Sequence, residues 1–294
     1  MLPHGRFAPS PTGDLHVGNL RTALLAWLFA RSQGARFKMR VEDLDAGRVR
    51  PGLEARQLAD LRAIGIDWDG PVVRQSERQE LYAGALARLD SGGLLYRCWC
   101  TRAEIRDAAS AAHGPLPEGA YPGTCRELTT TQVAEREASG RPPAWRVRAD
   151  AAAVTFTDRI RGPFTGVVDD FVVQRNDGAY AYNLAVVVDD GAQEIGEVVR
   201  GADLLDSTPR QLWLGERLEL AAGGWEPSYA HVPLMLDPDG ARLAKRHGAV
   251  TLAGRAALGQ SPADVRRELL APFGLGDCVT MEELVNAFDP ARIR

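Results

Sequence analysis

Residues 6–19 read RFAPSPTGDLHVGN, and this stretch decides the fold. It predicts a short strand from Arg6 to Ser10, a turn that two prolines stiffen and a glycine relaxes, and a helix opened by His16 and Gly18. The first N–H groups of such a helix point into the crevice above a sheet, where α/β proteins bind ligands and where a phosphate is favoured. The stretch therefore predicts a phosphate-binding turn.

The segments that follow alternate between helix and strand. Val17 to Arg31 has the apolar periodicity of a helix, Phe37 to Val41 reads as a strand, and Pro51 to Ile64 reads as a helix opened by proline. Strand, helix, strand and helix in this order imply parallel strands joined by helical crossovers. We therefore predict an α/β fold with a doubly wound parallel sheet.

The pattern changes near Tyr96, where loops rich in proline and glycine and runs of β type begin. These continue to Gly178, as expected for an inserted α+β subdomain, and the earlier pattern resumes at Tyr180. The predicted parts are 1–95 (first half of the sheet), 96–178 (insert), 179–250 (second half) and 251–294 (short helical C-terminus). Within them we predict strands at Ala144 to Val147, Phe164 to Val173 and Tyr229 to Leu236, and helices at Pro209 to Leu220 after an Asp206-Ser207 N-cap pair, Pro262 to Pro272 and Met281 to Phe288.

Composition narrows the class of protein. The chain has 294 residues, 45% of them hydrophobic, so it can bury a full core. No apolar run approaches the roughly 20 residues of a membrane span, and the first residues do not resemble a signal peptide, so we expect a cytoplasmic protein without a membrane partner. The net charge of −4 argues against a general nucleic-acid coat but allows RNA binding through a local patch.

Lysine is rare in this chain, which makes its two positions informative. Lys38 and Lys245 are the only lysines among the 35 basic residues, and Lys245 lies in the polar stretch ARLAKRHG at 241–248. A lysine carries a compact ammonium on a flexible stem, whereas arginine carries a rigid planar fork. Lys245 is therefore a candidate for a mobile cation that follows a changing charge.

The chain resembles the glutamyl-tRNA synthetases, a family of class I aminoacyl-tRNA synthetases with a Rossmann-like catalytic domain. RFAPSPTGDLHVGN resembles the family signature in which HVGN stands for the class motif HIGH, and ARLAKRHG resembles the second motif, KMSKS. In this chain Arg242 replaces the first lysine of KMSKS, Ala244 replaces its serine, and Asn19 replaces the second histidine of HIGH. Further segments resemble the family in the same order: VEDLD at 41–45, YRCWC at 96–100, AYNLAVVVDD at 181–190 and VVRGADLL at 198–205.

The resemblance implies that the protein activates glutamate with ATP and Mg²⁺. Charge grows on the phosphates as pyrophosphate leaves, so positioned donors and cations supply most of the catalysis. His16 and Lys245 are the expected catalytic residues. ATP is expected to contact His16, Gly18, Asn19, Arg242 and Lys245. Glutamate is expected to contact Arg6 and Arg200 through its carboxylate end, Glu42 through its ammonium, Tyr182 as pocket lining and hydrogen-bond donor, and Ala8 and Ser10 as the pocket floor.

Three of the four cysteines are clustered, which favours a metal site over a disulfide framework. Cys98, Cys100 and Cys125 provide three thiolates, and Cys278 is remote. The resemblance implies Tyr121 as the fourth ligand of a structural zinc, one per chain. His113 is the chemically commoner donor and Glu127 is also near in sequence, so the fourth ligand stays open, as does the alternative of buried, reduced cysteines.

The length of the C-terminal part points to one branch of the family. Only 46 residues follow ARLAKRHG, too few for the helical anticodon-binding domains of a full synthetase. The chain thus resembles the truncated branch that activates glutamate without tRNA and esterifies it onto queuosine in the anticodon loop of tRNA(Asp). Guanidinium and aromatic side chains of the insert are candidates for contacting that loop: Arg146, Arg148, Arg159, Arg161, Trp145 and Phe164.

Two other functions are compatible with the sequence. One is charging of a tRNA 3′ end, with another chain reading the anticodon. The other is a non-catalytic RNA-binding or regulatory role, for which the altered KMSKS-like stretch is the main support.

Overall fold

The computed structural model describes residues 4–101, 103–105, 120–236 and 250–294. Its strands are β1 (His4–Phe7), β2 (Phe37–Val41), β3 (Val73–Arg74), β4 (Leu95–Cys98), β5 (Ala144–Val147), β6 (Ala153–Asp158), β7 (Gly162–Val167), β8 (Val172–Gln174), β9 (Ile195–Gly201) and β10 (Ser228–Val232). Its helices are α1 (Val17–Arg31), α2 (Leu53–Ala63), α3 (Gln79–Ser91), α4 (Thr130–Ala138), α5 (Tyr182–Ala192), α6 (Thr208–Arg217), α7 (Leu252–Ala257), α8 (Pro262–Leu270) and α9 (Met281–Ala287).

The central sheet is parallel and has the strand order β10-β9-β1-β2-β3. The chain runs outward from β1 through β2 to β3, and its second half returns to the other side of β1 with β9 and β10. The strand order therefore reverses between β1 and β9, and a crevice for ligands is expected beyond the carboxyl ends of these two strands. The predicted doubly wound α/β fold is confirmed.

Helix α1 is buried on nearly all sides, which explains its apolar composition. One side packs on β1 and β9, and the other side meets α8 and α9. The ring centroids of Phe29 and Phe288 are 5.2 Å apart at this second contact. The C-terminal helices thus complete the main core. Within the described residues, no helix is long and apolar enough to cross a membrane.

The segment between the two halves of the central sheet forms two small antiparallel sheets. One has the order β4-β5-β8, and the other is the hairpin of β6 and β7. The prediction of a single strand from Phe164 to Val173 is wrong, because the chain leaves β7 after Val167. Between β7 and β8, the buried Asp169 and Asp170 accept hydrogen bonds from backbone N–H groups of neighbouring segments, which holds this stretch in an irregular conformation.

Several predicted element ends are wrong by a few residues, each for a local reason. β1 ends at Phe7 rather than Ser10, because the prolines that follow have no N–H for the ladder. β10 ends at Val232 rather than Leu236, because Pro233 comes next. α2 begins at Leu53 after Gly52, whose φ of 77° is left-handed.

The start and end of α6 also differ from the prediction. The helix spans Thr208–Arg217, not Pro209 to Leu220, and a 3₁₀ helix precedes it. The Ser207 hydroxyl donates to the Leu204 carbonyl instead of capping α6. Ser207 is thus the N-cap residue of α6 by position, as predicted, but its side chain makes no capping hydrogen bond.

Candidate active site

A cavity of about 470 Å³ lies beyond the carboxyl ends of β1 and β9. It is lined by the predicted residues Arg6, Ala8, Ser10, His16, Gly18, Asn19, Glu42, Tyr182 and Arg200. Tyr182, at the start of α5, keeps 41% of its surface exposed, whereas Arg6 and Arg200 are each 5% exposed. Residues from both halves of the sheet thus meet at the point where the strand order reverses.

His16 is the N-cap residue of α1. Its Nδ1 accepts a hydrogen bond from the Asn19 backbone N–H at 3.2 Å, and the Asn19 side-chain oxygen accepts one from the His16 N–H at 3.2 Å. Since Nδ1 is an acceptor, the neutral imidazole carries its proton on Nε2 and can donate from there. A Cβ on Gly18 would lie 3.0 Å from the imidazole, so glycine at this position leaves room for the ring.

Arg242 and Lys245 lie outside the described residues, as does the whole stretch ARLAKRHG. The described residues on both sides of this segment lie against the start of α1. The Val17 N–H donates to the Val250 carbonyl at 2.7 Å, and Met235 Cβ is 3.7 Å from the position of a Cβ on Gly18. Met235 and Val250, on either side of this segment, are thus both close to the start of α1.

A buried network of charges sets the positions of Arg6 and Glu42. Arg6 pairs with Asp190 through Nε at 3.4 Å and Nη2 at 3.3 Å. Arg40, which has no exposed surface, donates to Asp190 at 2.7 Å and to Glu42 at 3.2 Å and lies 3.6 Å from Asp189. Arg6 can face a ligand with the N–H groups that Asp190 does not use, while Asp190 fixes the plane of its guanidinium.

Burial and pairing shift the pKa values of this network in opposite directions. Burial raises the pKa of Glu42, although Arg40 and Arg6 partly counteract it. Burial would also raise the pKa of Asp190, but Arg6 and Arg40 hold it below its usual range. Burial would lower the pKa of Arg40, yet Asp190, Glu42 and Asp189 raise it. Asp190 is thus ionised, whereas a further positive charge, such as an ammonium group, would stabilise the ionised form of Glu42.

Within the same network, Asp189 anchors the start of α3. Asp189 accepts hydrogen bonds from Arg78 at 2.6 Å, Gln75 at 2.8 Å and the Tyr82 hydroxyl at 2.9 Å. Sequence reasoning did not identify Arg40, Asp189 or Asp190 as site residues. The adjacent aspartates at the end of the apolar run of α5 were the available signal, because buried carboxylates require partners.

Arg200 is held by four contacts within the protein. Its Nε donates to His231 Nε2 at 3.1 Å and its Nη1 to Gln211 at 2.7 Å. Its Nη2 donates to the Thr208 hydroxyl at 2.8 Å and to the Leu204 carbonyl at 3.3 Å. The guanidinium therefore brings a fixed positive charge to the cavity, with most of its N–H groups used to hold it in place.

The three clustered cysteines form a compact set of sulfur atoms. The sulfurs of Cys98, Cys100 and Cys125 all lie within 4.8 Å of one another, and a tetrahedral ion about 2.3 Å from each would need separations of about 3.8 Å. The Tyr121 hydroxyl lies 3.4 Å from the Cys98 sulfur and 3.6 Å from the Cys100 sulfur. Hydrogen bonds with Cys100 and Cys125 lower the pKa of Cys98, whereas hydrogen bonds with Cys125 and Cys98 raise the pKa of Cys100, so Cys98 is the thiolate of this pair.

Two other residues were candidates for the fourth ligand of the cysteine cluster. Glu127 is 80% exposed and its carboxylate contacts Arg148 at 3.1 Å and Arg126 at 3.3 Å. His113 lies outside the described residues. Of the described candidates, Tyr121 is thus the one whose oxygen touches the sulfurs, and the donor set fits a zinc ion.

A second cavity, of about 600 Å³, lies beside the first and shares Ser10, Glu42 and Tyr182 with it. Its wall contains residues of the catalytic half and of the insert, including the basic residues Arg48, Arg141, Arg146 and Arg175. Arg48 and Arg141 form no ion pair with another described residue. Trp99 also lines this cavity, and its buried indole N–H has no hydrogen-bond partner among the described residues.

The four arginines predicted to face RNA are engaged within the protein. Arg146 is 6% exposed, donates to the Asp170 carbonyl and lies over the Tyr121 ring, so it lines the second cavity as a buried guanidinium, and its contact with RNA stays a prediction. Arg148 pairs with Glu127, Arg159 with Glu197, and Arg161 donates to the His231 carbonyl. The two aromatic candidates are half-buried, Trp145 against a core that the insert shares with α3, α5 and α6, and Phe164 against Phe156.

Comparison with known proteins places the chain among synthetases. Residues 4–292 match the family described as tRNA synthetases class I (E and Q), catalytic domain. The chain is 59% identical over 289 residues to a glutamyl-Q tRNA(Asp) synthetase of Nocardia farcinica, covering 98% of this chain and 90% of the relative. It is 53% identical over 304 residues to a glutamyl-Q tRNA(Asp) synthetase of Symbiobacterium thermophilum, covering 98% of this chain and 93% of the relative.

A solved structure shows the same fold. The chain superposes with a TM-score of 0.84 and 29% identity on a glutamate tRNA ligase from Elizabethkingia meningosepticum that was crystallised with its amino acid. The match covers 100% of this chain but 66% of the ligase. The similarity extends over the whole of the present chain.

Proposed function

Because the chain belongs to the class I tRNA synthetases for glutamate and glutamine, we propose that it activates glutamate with ATP and transfers the glutamate to queuosine in the anticodon of tRNA(Asp). The observation that carries glutamate activation is the convergence of Arg6, Glu42 and Arg200 on one cavity beside His16. The choice of acceptor follows the relatives of 59% and 53% identity, which carry that activity in their names.

Glutamate fits the charges of the first cavity. The substrate has two carboxylates and one ammonium, and the cavity offers the guanidinium groups of Arg6 and Arg200 and the carboxylate of Glu42. Glu42 accepts from the ammonium, which offsets the burial that raises its pKa. Tyr182 lines the pocket and donates a hydrogen bond, and Ala8 and Ser10 form its floor.

ATP lies at the start of α1 in this proposal. Of the first three N–H groups of α1, those of Val17 and Asn19 are used by Val250 and His16, so the Gly18 N–H and the Nε2 proton of His16 are the donors to phosphate oxygens in this proposal. Asn19 shapes the approach. Arg242 and Lys245 are the further contacts of ATP in this proposal, because Met235 and Val250 on either side of their segment lie at this helix start. Lys245 follows the charge that develops on the leaving phosphates.

The chemistry proceeds in two displacements. The α-carboxylate of glutamate attacks the α-phosphorus of ATP, the bond between the α- and β-phosphates breaks, and pyrophosphate leaves with the electron pair. A hydroxyl of the queuosine diol then attacks the acyl carbon and loses its proton, and AMP leaves as the ester forms. Holding both reactants in one crevice supplies much of the rate, because each attack becomes intramolecular in effect.

The acceptor enters through the second cavity. This cavity opens beside Tyr182 and Glu42 and carries Arg48 and Arg141, which can pair with phosphates, and Trp99, whose buried N–H lacks a partner among the described residues. An unpaired nucleotide of an anticodon loop needs such contacts. Segment 96–178 thus forms the acceptor-facing subdomain in this proposal.

Zinc has a structural role in the same subdomain. Cys98, Cys100, Cys125 and Tyr121 would hold the ion as a closed set of four ligands, leaving no open position for a reactive water. When bound, it ties β4 to the loop that contains Tyr121. This stabilises the wall of the second cavity, to which Cys98 and Cys100 also belong.

Glutamate-dependent exchange of pyrophosphate into ATP, followed by transfer of labelled glutamate to tRNA(Asp), tests the proposal. We expect exchange without any tRNA and transfer only to tRNA(Asp) that contains queuosine. Absence of exchange in metal-replete protein would contradict glutamate activation. Exchange without transfer to either form of tRNA(Asp) would contradict only the acceptor.

A further inference from the structure

A buried aspartate–histidine pair lies directly behind Arg200. The His231 imidazole has no exposed surface, and its Nδ1 lies 2.6 Å from Asp158 Oδ2. Asp158 is 1% exposed and ends β6, at the tip of the hairpin formed with β7. On the other side of the ring, Arg200 donates through Nε to His231 Nε2 at 3.1 Å.

The hydrogen bonds fix the tautomer of His231. The Asp158 carboxylate is an acceptor, so the proton of the neutral ring must lie on Nδ1. Nε2 then presents a lone pair, which is what the Arg200 N–H requires. Burial lowers the pKa of His231 and outweighs the opposing influence of Asp158, so the neutral form that this arrangement needs is the stable one.

The hairpin tip is attached to β10 by further contacts around this pair. Asp158 also accepts from the backbone N–H groups of Ile160 and Arg161 at 2.9 and 2.8 Å. The Arg159 N–H donates to the Tyr229 carbonyl at 2.9 Å. The rings of Tyr229 and His231 are stacked, with centroids 6.1 Å apart and an interplanar angle of 6°. The tip and β10 therefore hold the imidazole in a single orientation.

We infer that Asp158 and His231 are positioning residues for Arg200, so that the inserted hairpin forms part of the glutamate site. Asp158 sets the tautomer, His231 receives the guanidinium Nε–H, and Arg200 presents its charge to the cavity in a fixed plane. This inference rests on the proposed role of Arg200 in binding the substrate's carboxylate end. It adds that residues of the insert, outside the cavity, tune the affinity for the amino acid.

The Thr208 hydroxyl also lies 3.2 Å from His231 Nε2, so Nε2 contacts both Arg200 and Thr208 while Nδ1 contacts Asp158. Two substitutions of His231 separate the contact of Nδ1 from those of Nε2. In His231→Asn, the amide nitrogen takes the place of Nδ1 and retains Asp158, but no acceptor remains for the Nε–H of Arg200. In His231→Gln, the longer amide places an oxygen near the position of Nε2 and retains Arg200. We expect about a tenfold weaker glutamate Kd for His231→Asn, from loss of a hydrogen bond to a charged group, and a change of less than about threefold for His231→Gln.

The measurements are glutamate titration by calorimetry and glutamate-dependent pyrophosphate exchange with separate KM values for glutamate and ATP. Thr155→Val is the matched control, because Thr155 lies on the exposed face of the same hairpin and, among the described residues, its hydroxyl bonds Thr165 alone. A rise in the glutamate KM with an unchanged ATP KM supports positioning. An equal loss of affinity for glutamate and ATP in both His231→Asn and His231→Gln, together with lower thermal stability, would show a structural role and overturn the inference.

A double-mutant cycle with Arg200→Lys tests whether His231 acts through Arg200. We expect His231→Asn to add little to the loss caused by Arg200→Lys, whereas additive losses would contradict the inference. If His231→Asn does not fold, Asp158→Asn provides the test from the hairpin side. The amide group of the new asparagine places N–H groups where the Asp158 carboxylate accepts hydrogen bonds. Wild-type protein that binds glutamate but shows no exchange would contradict the proposed function, while the Kd comparison would still decide this inference.

Discussion

His16 has a structural role that must be separated from its proposed contact with ATP. Its side chain caps α1, and loss of an N-cap costs about 1 kcal/mol of stability. We predict that His16→Ala lowers glutamyl-adenylate formation by about 10² or more and also lowers the melting temperature. His16→Asn is the matched control, since asparagine is a favoured N-cap, and should retain stability while losing the activity. An active His16→Asn protein would refute the role in catalysis.

Lys245 tests whether a mobile cation is required. We predict that Lys245→Ala lowers pyrophosphate exchange by about 10² or more, and that Lys245→Arg restores only part of it, because a planar fork cannot follow the departing phosphates as an ammonium can. The fold should be unaffected in both variants, as judged by circular dichroism. Full activity with arginine would contradict this reasoning.

The raised pKa of Glu42 predicts a pH dependence of glutamate binding. As the pH falls through this raised pKa, the carboxylate gains a proton and can no longer pair with the substrate ammonium. The Kd for glutamate should therefore increase as the pH falls, starting at a higher pH than for an ordinary glutamate side chain. Calorimetric titration across pH measures it. Glu42→Gln should bind weakly with little dependence on pH in this range, and an unaltered pH profile in that variant would exclude Glu42 as the cause.

At the scale of single elements, the sequence predicted regular segments with strong local signals. α1 and β2 begin and end where their apolar patterns predicted. Element ends were less predictable, because they depend on whether a backbone N–H finds a partner, as at the prolines after β1 and β10. The pairing of Arg40 with Asp190 was not predictable, because it joins residues 150 positions apart that only the folded sheet brings together.

The cysteine cluster of the insert leads to a prediction about metal content. We expect purified protein to contain about one zinc per chain, and Cys100→Ser to destabilise the insert before the nucleotide site, because metal binding is coupled to folding. Metal analysis and limited proteolysis measure the two effects. Zinc-free protein from a purification without chelator would favour buried thiols instead. Retention of zinc by Tyr121→Phe would assign the fourth position to His113 or Glu127.

At the scale of the whole molecule, the group on tRNA that receives glutamate distinguishes the proposed function from that of an ordinary synthetase. We predict that glutamate is transferred to tRNA(Asp) only when queuosine is present, and that removal of the 3′-terminal adenosine leaves the transfer intact. Binding should weaken steeply with salt, because arginines neutralise phosphates of the loop. Transfer to unmodified tRNA(Glu), lost together with the 3′ adenosine, would instead indicate an ordinary synthetase.

The pairing of β1 with β9 has a consequence for biosynthesis. His4 and Ile195 are register partners. One edge of the central strand β1 therefore stays unpaired until β9 is synthesised, when roughly two thirds of the chain has been made. Contacts between such distant residues form slowly, and an open strand edge can pair with other chains in the meantime. We expect a nascent chain that stalls before β9 to leave this edge of β1 open, because the sheet cannot yet close on both sides of its first strand.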